Sequence, residues 1–244
     1  MVKKSASKKS TILDNSDQDI LDSIREKAQQ GDAVSQSNFG LMYFTGLGVP
    51  KDDQEAFKWF RKAAKQGYAK AQFSLGYMYD RGEGVPQDDQ ETVKWFRKAA
   101  EQGFAEAQSN LGLMYFTGLG VPKDDQEAFK WFRKAAEQGN SQAQFQLGWR
   151  YRYGEGVPKN YQEALKWYRK VADQGDADAQ NQLGQMYLMG EGVPKDYVRA
   201  YMWWNLASSK SEIPVPTARD LLEGKMTSEQ IAEAKKLSRE RKPN

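Results

Sequence analysis

A 36-residue period governs this chain. The glycines Gly31, Gly67, Gly103, Gly139 and Gly175 fall on it. So do Tyr43, Tyr79, Tyr115, Tyr151 and Tyr187, and Trp59, Trp95, Trp131, Trp167 and Trp203. A fixed period between about 20 and 50 residues is the mark of a repeat array, in which each unit buries its apolar face only against its neighbours. The 244 residues are therefore expected to make one elongated body rather than several compact domains.

Each copy predicts two helices. Gln36, Phe39, Gly40 and Tyr43 lie at i, i+3, i+4 and i+7, one face of a helix over Ala33 to Thr45. A glycine inside a helix costs about 1 kcal/mol relative to alanine. Its return at one register implies close approach of the partner helix, with Ala63 and Ala64 expected opposite Gly40. A G-x-G-V-P loop follows in every copy, as in Gly46 to Pro50. Its glycines permit positive φ, and its proline is expected to stop the first helix. The loop lacks the third glycine of a dinucleotide fingerprint and follows a helix rather than a strand.

The second helix opens on Asp52 with Glu55 three residues on, the spacing of a capping box, and the pair recurs as Asp88/Glu91, Asp124/Glu127 and Asn160/Glu163. Copy five departs, with Asp196/Arg199. Ala56, Trp59, Phe60, Ala63 and Ala64 give the apolar face, and Gly67 is a C′ glycine.

The expected organisation is a disordered basic tail over 1–15, a capping helix over 16–31, five helix pairs over 32–210, a helical cap over 211–238 and a frayed end at 239–244. The N-terminal helix places Ile20, Leu21, Ile24 and Ala28 on one face. The prolines of SEIPVP break the last repeat helix, and Thr227 with Gln230 forms a capping box for a final helix with Ile231, Ala234 and Leu237 inward.

Composition narrows the chemistry. The chain has no histidine and no cysteine. That removes Ser-His-Asp and Cys-His sets, the two best zinc ligands and any disulfide. The carboxylate pairs recur as helix caps, whereas a catalytic dyad needs one pair in an unusual setting. The expectation is therefore no enzyme, no cofactor and no metal. The N-terminal residues lack an apolar run of signal-peptide length, and no stretch approaches the about 20 apolar residues of a membrane span. The expected location is the cytoplasm.

There are 36 basic and 33 acidic residues; nine basic and one acidic lie in 1–9 and 235–244, so the body between carries −5. This argues against an extended nucleic-acid groove. The repeating Lys58, Arg61 and Lys62 read as a solvated face with cations near helix C-termini.

The recurring pattern A-x-A-Q-x-x-L-G-x-x-Y-x-x-G-x-G-V-P-x-D-x-x-x-A-x-x-W-[FY]-x-K-A-A-x-Q-G resembles the Sel1-like repeat family, a relative of tetratricopeptide repeats, over about residues 31–210. The resemblance implies an all-α, right-handed α-α superhelix whose first helices line a concave side. Positions that vary between copies on the first helices are then free for contact. Aromatic residues and arginine are enriched at binding hot spots. The expected partner-binding set is Phe73, Tyr77 and Arg81 of copy two, Phe116 of copy three, Phe145, Trp149, Arg152 and Tyr153 of copy four, and Leu188 and Met189 of copy five. Residues 40–64 and 112–136 are identical, a two-repeat duplication at a spacing of 72. A surface lengthened by copying fits an adaptor that holds a peptide or helix of another protein. Two other readings stand beside it: self-association through the end caps, and anionic-surface or nucleic-acid binding through Lys3, Lys4, Lys8, Lys9 and the C-terminal basic residues.

Overall fold

The computed structural model describes residues 15–208 and 216–241. Among them are thirteen helices and no strand. They are α1 Asn15–Gln29, α2 Ala33–Thr45, α3 Asp53–Lys65, α4 Ala69–Arg81, α5 Asp89–Glu101, α6 Ala105–Thr117, α7 Asp125–Glu137, α8 Ser141–Tyr153, α9 Tyr161–Ala172, α10 Ala177–Met189, α11 Tyr197–Ser208, α12 Pro216–Glu223 and α13 Ser228–Glu240. Two compact units result, residues 1–102 with α1–α5 and residues 103–244 with α6–α13. The expected basic tail and the SEIPVP break lie, except for Asn15 and Pro216, outside the described residues.

One side-chain oxygen opens each second helix of the first four copies. Asp52, Asp88, Asp124 and Asn160 each accept two N–H bonds from the residues two and three positions on. The reciprocal half of the expected capping box is absent there. Glu55 instead accepts from Lys58 at 2.6 Å, and Glu91 accepts from Lys94 at 2.5 Å and from Trp95 Nε1 at 2.9 Å. The reason is local: the N–H of Asp52 already donates to the Tyr43 carbonyl at 2.9 Å, and Asp88 does the same to Tyr79 at 3.1 Å. The glutamate has no orphan donor left to satisfy. Copy five keeps its cap without a glutamate, since Asp196 accepts from the Arg199 N–H at 2.9 Å.

Glycine, rather than proline, ends the first helices. Gly46 has φ +75° and its N–H returns to the Met42 carbonyl, four residues before Pro50. The second helix α3 ends on Gly67 at φ +92°, with the Gly67 N–H on Ala64 and the Tyr68 N–H on Ala63, a Schellman closure.

The helical glycine meets an aromatic ring, not the alanines. A Cβ on Gly40 would stand 2.9 Å from the Phe60 ring, and one on Gly76 2.7 Å from Phe96. Ala63 and Ala64 are buried, but the larger ring one turn earlier on α3 reaches across first. In the second unit Phe132, Tyr168 and Trp204 cover Gly112, Gly148 and Gly184 in the same way. The loops seat on the preceding repeat: a Cβ at Gly84 would overlap the Asp53 carbonyl, and one at Gly156 the Asp125 carbonyl.

In the first unit the core is Ala56, Phe60, Ala63, Ala64, Ala71, Leu75, Met78 and Trp95. Buried glutamines tie successive pairs. Gln72 Nε2 donates to the Ala64 carbonyl at 3.2 Å, and Gln102 Nε2 donates to Gln72 Oε1 at 2.7 Å. Helix α1 packs on α2 through Leu21, Ala28 and half-buried Ile24. Ile20, expected on that face, is 58 % exposed, because a single partner helix covers only the narrow i, i+3, i+7 stripe begun by Leu21.

In the second unit α6–α7 and α8–α9 enclose Ala128, Phe132, Ala135, Ala136, Ala143 and Leu147. The helices α10–α13 share a larger core with Tyr168, Tyr201, Trp203, Trp204 and Ala234, against which Ile231 and Leu237 pack. Thr227 and Gln230 form the expected capping box of α13. Near its end Arg241 Nη2 donates to Asp173 Oδ1 at 2.9 Å and lies 4.6 Å from the Trp203 ring.

Candidate partner-binding faces of the first helices

In the first unit, α2 and α4 leave an open apolar hollow lined by Leu41, Phe44, Phe60, Phe73, Ser74, Tyr77 and Met78. It arises because the helical i, i+3, i+4 spacing aligns Leu41 with Phe44, and Phe73 with Tyr77. Phe73 stacks on Phe96 at 5.5 Å, and Tyr77 meets Phe44 edge-on at 6.3 Å. Two cations stand at these rings: Lys51 is 5.6 Å from Phe44, and Arg81 is 5.6 Å from Tyr77. Arg81 also lies 3.6 Å from Asp80. Phe73, Tyr77 and Arg81 are thus brought together.

In the second unit the predicted residues divide. Trp149 and Tyr153 pack ring on ring at 4.3 Å, and Tyr153 is exposed. Phe145 is half-buried and meets Tyr168 edge-on at 5.4 Å. Half-buried Leu188 packs on the core of α10–α13, while Met189 is exposed. Arg152 is drawn inward. Its Nε donates to Glu191 Oε2 at 2.7 Å, and its Nη1 bonds Gln182 and Gln185. It is buried and joins α8 to α10 and its loop, so it presents no free guanidinium to solvent.

Phe116 leads to a residue that sequence reasoning missed. Arg150 on α8 is 0 % exposed, with its guanidinium carbon 4.3 Å from the Phe116 ring and 4.4 Å from that of Phe132. Burial holds it below the ordinary guanidinium pKa, while Glu155, Asp125 and Tyr168 pull it back. It remains charged, since arginine does not deprotonate in proteins. The Tyr168 hydroxyl is buried without a hydrogen-bond partner, and burial pushes it well above the usual phenol value. A column-by-column comparison would have found Arg150, for the same register holds Met42, Met78, Met114 and Met186.

Among the described residues no group of three or more acidic side chains is placed to hold a metal, and no helix is long and apolar enough to cross a membrane.

The Sel1 repeat profile matches residues 33–68, 69–104, 105–140, 141–176 and 177–211, five adjoining copies. The chain belongs to the Sel1 repeat family. Sel1 repeats commonly mediate protein–protein interaction and form a scaffold that is generally non-enzymatic. Among solved structures, a protective antigen of uropathogenic Escherichia coli displaying an SLR fold is 40 % identical with a TM-score of 0.82, covering 89 % of this chain and 47 % of that one. The present chain thus spans about half the length of that antigen. A Sel1 repeat protein from Oxalobacter formigenes is 33 % identical with a TM-score of 0.76, covering 92 % and 94 %. An immunity protein from Pseudomonas aeruginosa, 21 % identical with a TM-score of 0.51 and covering 86 % and 81 %, shares the fold. No curated protein matches the sequence. The all-α solenoid class expected from the period is the class of this Sel1 repeat protein.

Proposed function

We propose that this Sel1 repeat protein is a non-catalytic adaptor that holds a peptide or helix of another protein against the exposed faces of its first helices. One observation carries the reading. The hollow of α2 and α4 keeps Phe44, Phe73 and Tyr77 on the surface of a preformed scaffold, where burying them on a partner costs little ordering. Trp149 and Tyr153 are the matching anchors on α8. On this reading α1 and α12–α13 act as caps, and the protein works in the cytoplasm, where a cysteine-free array needs no oxidising environment. The chain without histidine or cysteine supports a role outside catalysis.

The test is affinity capture with the whole chain against Phe73→Ala/Tyr77→Ala and Trp149→Ala/Tyr153→Ala variants of unchanged helicity. Loss of the same partner in either supports the adaptor; equal recovery in all three removes it. Self-association is the second reading, and the 73 % exposure of Leu221 on α12 favours it. Sedimentation of Leu221→Glu decides: a concentration-dependent assembly that this change abolishes would establish it.

A further inference from the structure

The duplication at a spacing of 72 places two related sets of residues on the first helices. In the first unit, Leu41, Phe44, Phe73 and Tyr77 surround the hollow, with Phe60 and Met78 beneath. The matching set in the second unit is Leu113, Phe116, Phe145, Trp149, Phe132 and Arg150, with Gln146 for Ser74. The floor has changed from a thioether to a guanidinium.

That guanidinium is half satisfied. Arg150 Nη1 donates to Gln146 Oε1 at 2.7 Å and to the Gln146 carbonyl at 3.4 Å. Nε and Nη2 are buried and have no acceptor. These two nitrogens form a single edge, the one that grips a carboxylate side-on through two parallel bonds. Buried charged donors left unmade are costly, and four copies avoid that cost with methionine. The acids nearest in charge, Glu155 and Asp125, do not bond Arg150. Each keeps a buried oxygen without a hydrogen bond, and Lys123 stands 3.6 Å from that of Asp125.

We propose that copies three and four together form a receptor for a carboxylate borne on an apolar body, with the Nε/Nη2 edge of Arg150 as the anion-binding group and the rings of Phe116 and Phe132 as its walls. The first hollow, floored by Met78, takes an apolar side chain alone. Trp149 occupies the register of Tyr77. This deepens the adaptor reading and rests on it, since the carboxylate belongs to the partner: either its C-terminus or an acidic side chain beside an apolar one.

The experiment follows the Arg150 Nε–H signal in ¹⁵N spectra of the whole chain, assigned with Arg150→Lys. Three probes are titrated: N-acetyl-leucine, with a terminal carboxylate; N-acetyl-glutamyl-leucinamide, with a side-chain carboxylate; and N-acetyl-leucinamide, with neither. A saturable shift is expected with at least one carboxylate, at least tenfold weaker with the amide, and the carboxylate that binds tighter names the source. Arg150→Met, the residue of the other four copies, should keep the fold and erase the preference. The proposal falls if no probe moves the signal, or if Arg150→Met binds carboxylates as well as before. Partner capture that persists while these probes fail would overturn the receptor and leave the adaptor standing.

Discussion

Gly76 of α4 lies under the ring of Phe96 on α5, so close that a methyl group on it would stand 2.7 Å from the ring. An inward-facing glycine and an aromatic residue of the partner helix thus form the joint of the helix pair. Alanine at position 76 gains about 1 kcal/mol of helix propensity. It also forces a fully buried ring out of place, and overpacking of this kind costs about 1–3 kcal/mol. Gly76→Ala should therefore lower stability in urea unfolding despite the better helix former. Phe96→Leu in the Gly76→Ala background should recover part of the loss, a coupling that simple propensity would not give.

The caps predict an asymmetry. Asp124 serves two N–H groups of α7, whereas Glu127 bonds Lys130 on the surface. Asp124→Ala should cost about 1 kcal/mol. Glu127→Ala should cost under about 0.5 kcal/mol, the worth of an exposed helical ion pair. Equal losses in denaturant unfolding would restore the reciprocal capping box that the pairing of residues suggested.

Arg152 is buried, and its ion-pair partner Glu191 is partly exposed. Removing Glu191 leaves the buried Arg152 charge short of a partner, a loss that reaches about 3–5 kcal/mol where a pair is fully buried. Glu191→Gln should fall toward the low end, because Gln182 and Gln185 still accept from Arg152. The double change Arg152→Leu/Glu191→Leu should unfold closer to the wild type than either single change, as a double-mutant cycle would show.

The lattice of the fold was legible because it recurs: one glycine, tyrosine and tryptophan register, repeated five times, specifies helices, loops and pairing. Caps were legible as residue types, but their partners were not. The fate of Glu55 depends on Tyr43 having already taken the Asp52 N–H, a contact across the loop. The glycine was legible, while its neighbour was not, because Phe60 and Ala63 lie on the same face and only side-chain reach separates them. Arg152 read as an anchor because its position varies between copies and arginine is enriched at hot spots. Its burial follows from Glu191 and two glutamines about one repeat further on. Arg150 was hidden by the opposite habit, since a position that holds methionine four times is read as core and its exception passes unnoticed.

Tyr201 and Glu223 give the fold an alkaline limit. The hydroxyl of Tyr201 donates to Glu223 Oε1 at 2.5 Å and joins α11 to α12. Burial first, then the hydrogen bond and charge of Glu223, push Tyr201 up to about 12. Asp220 adds to the rise and Arg219 opposes it. The unfolded chain titrates near the ordinary phenol value of about 10. Above that pH the unfolded state has released the proton while the folded state keeps it. Fewer protons are then bound in the unfolded state, and stability falls with rising pH. The contribution is whole below pH 10 and declines as pH rises through about 12. Tyr201→Phe lacks both the bond and the ionisation. Its stability deficit against the wild type, read from urea unfolding at fixed salt, should stay constant below pH 10 and shrink between pH 10 and 12. A deficit that stays level across that window would show that Tyr201 ionises alike in both states and that its bond to Glu223 does not hold the proton.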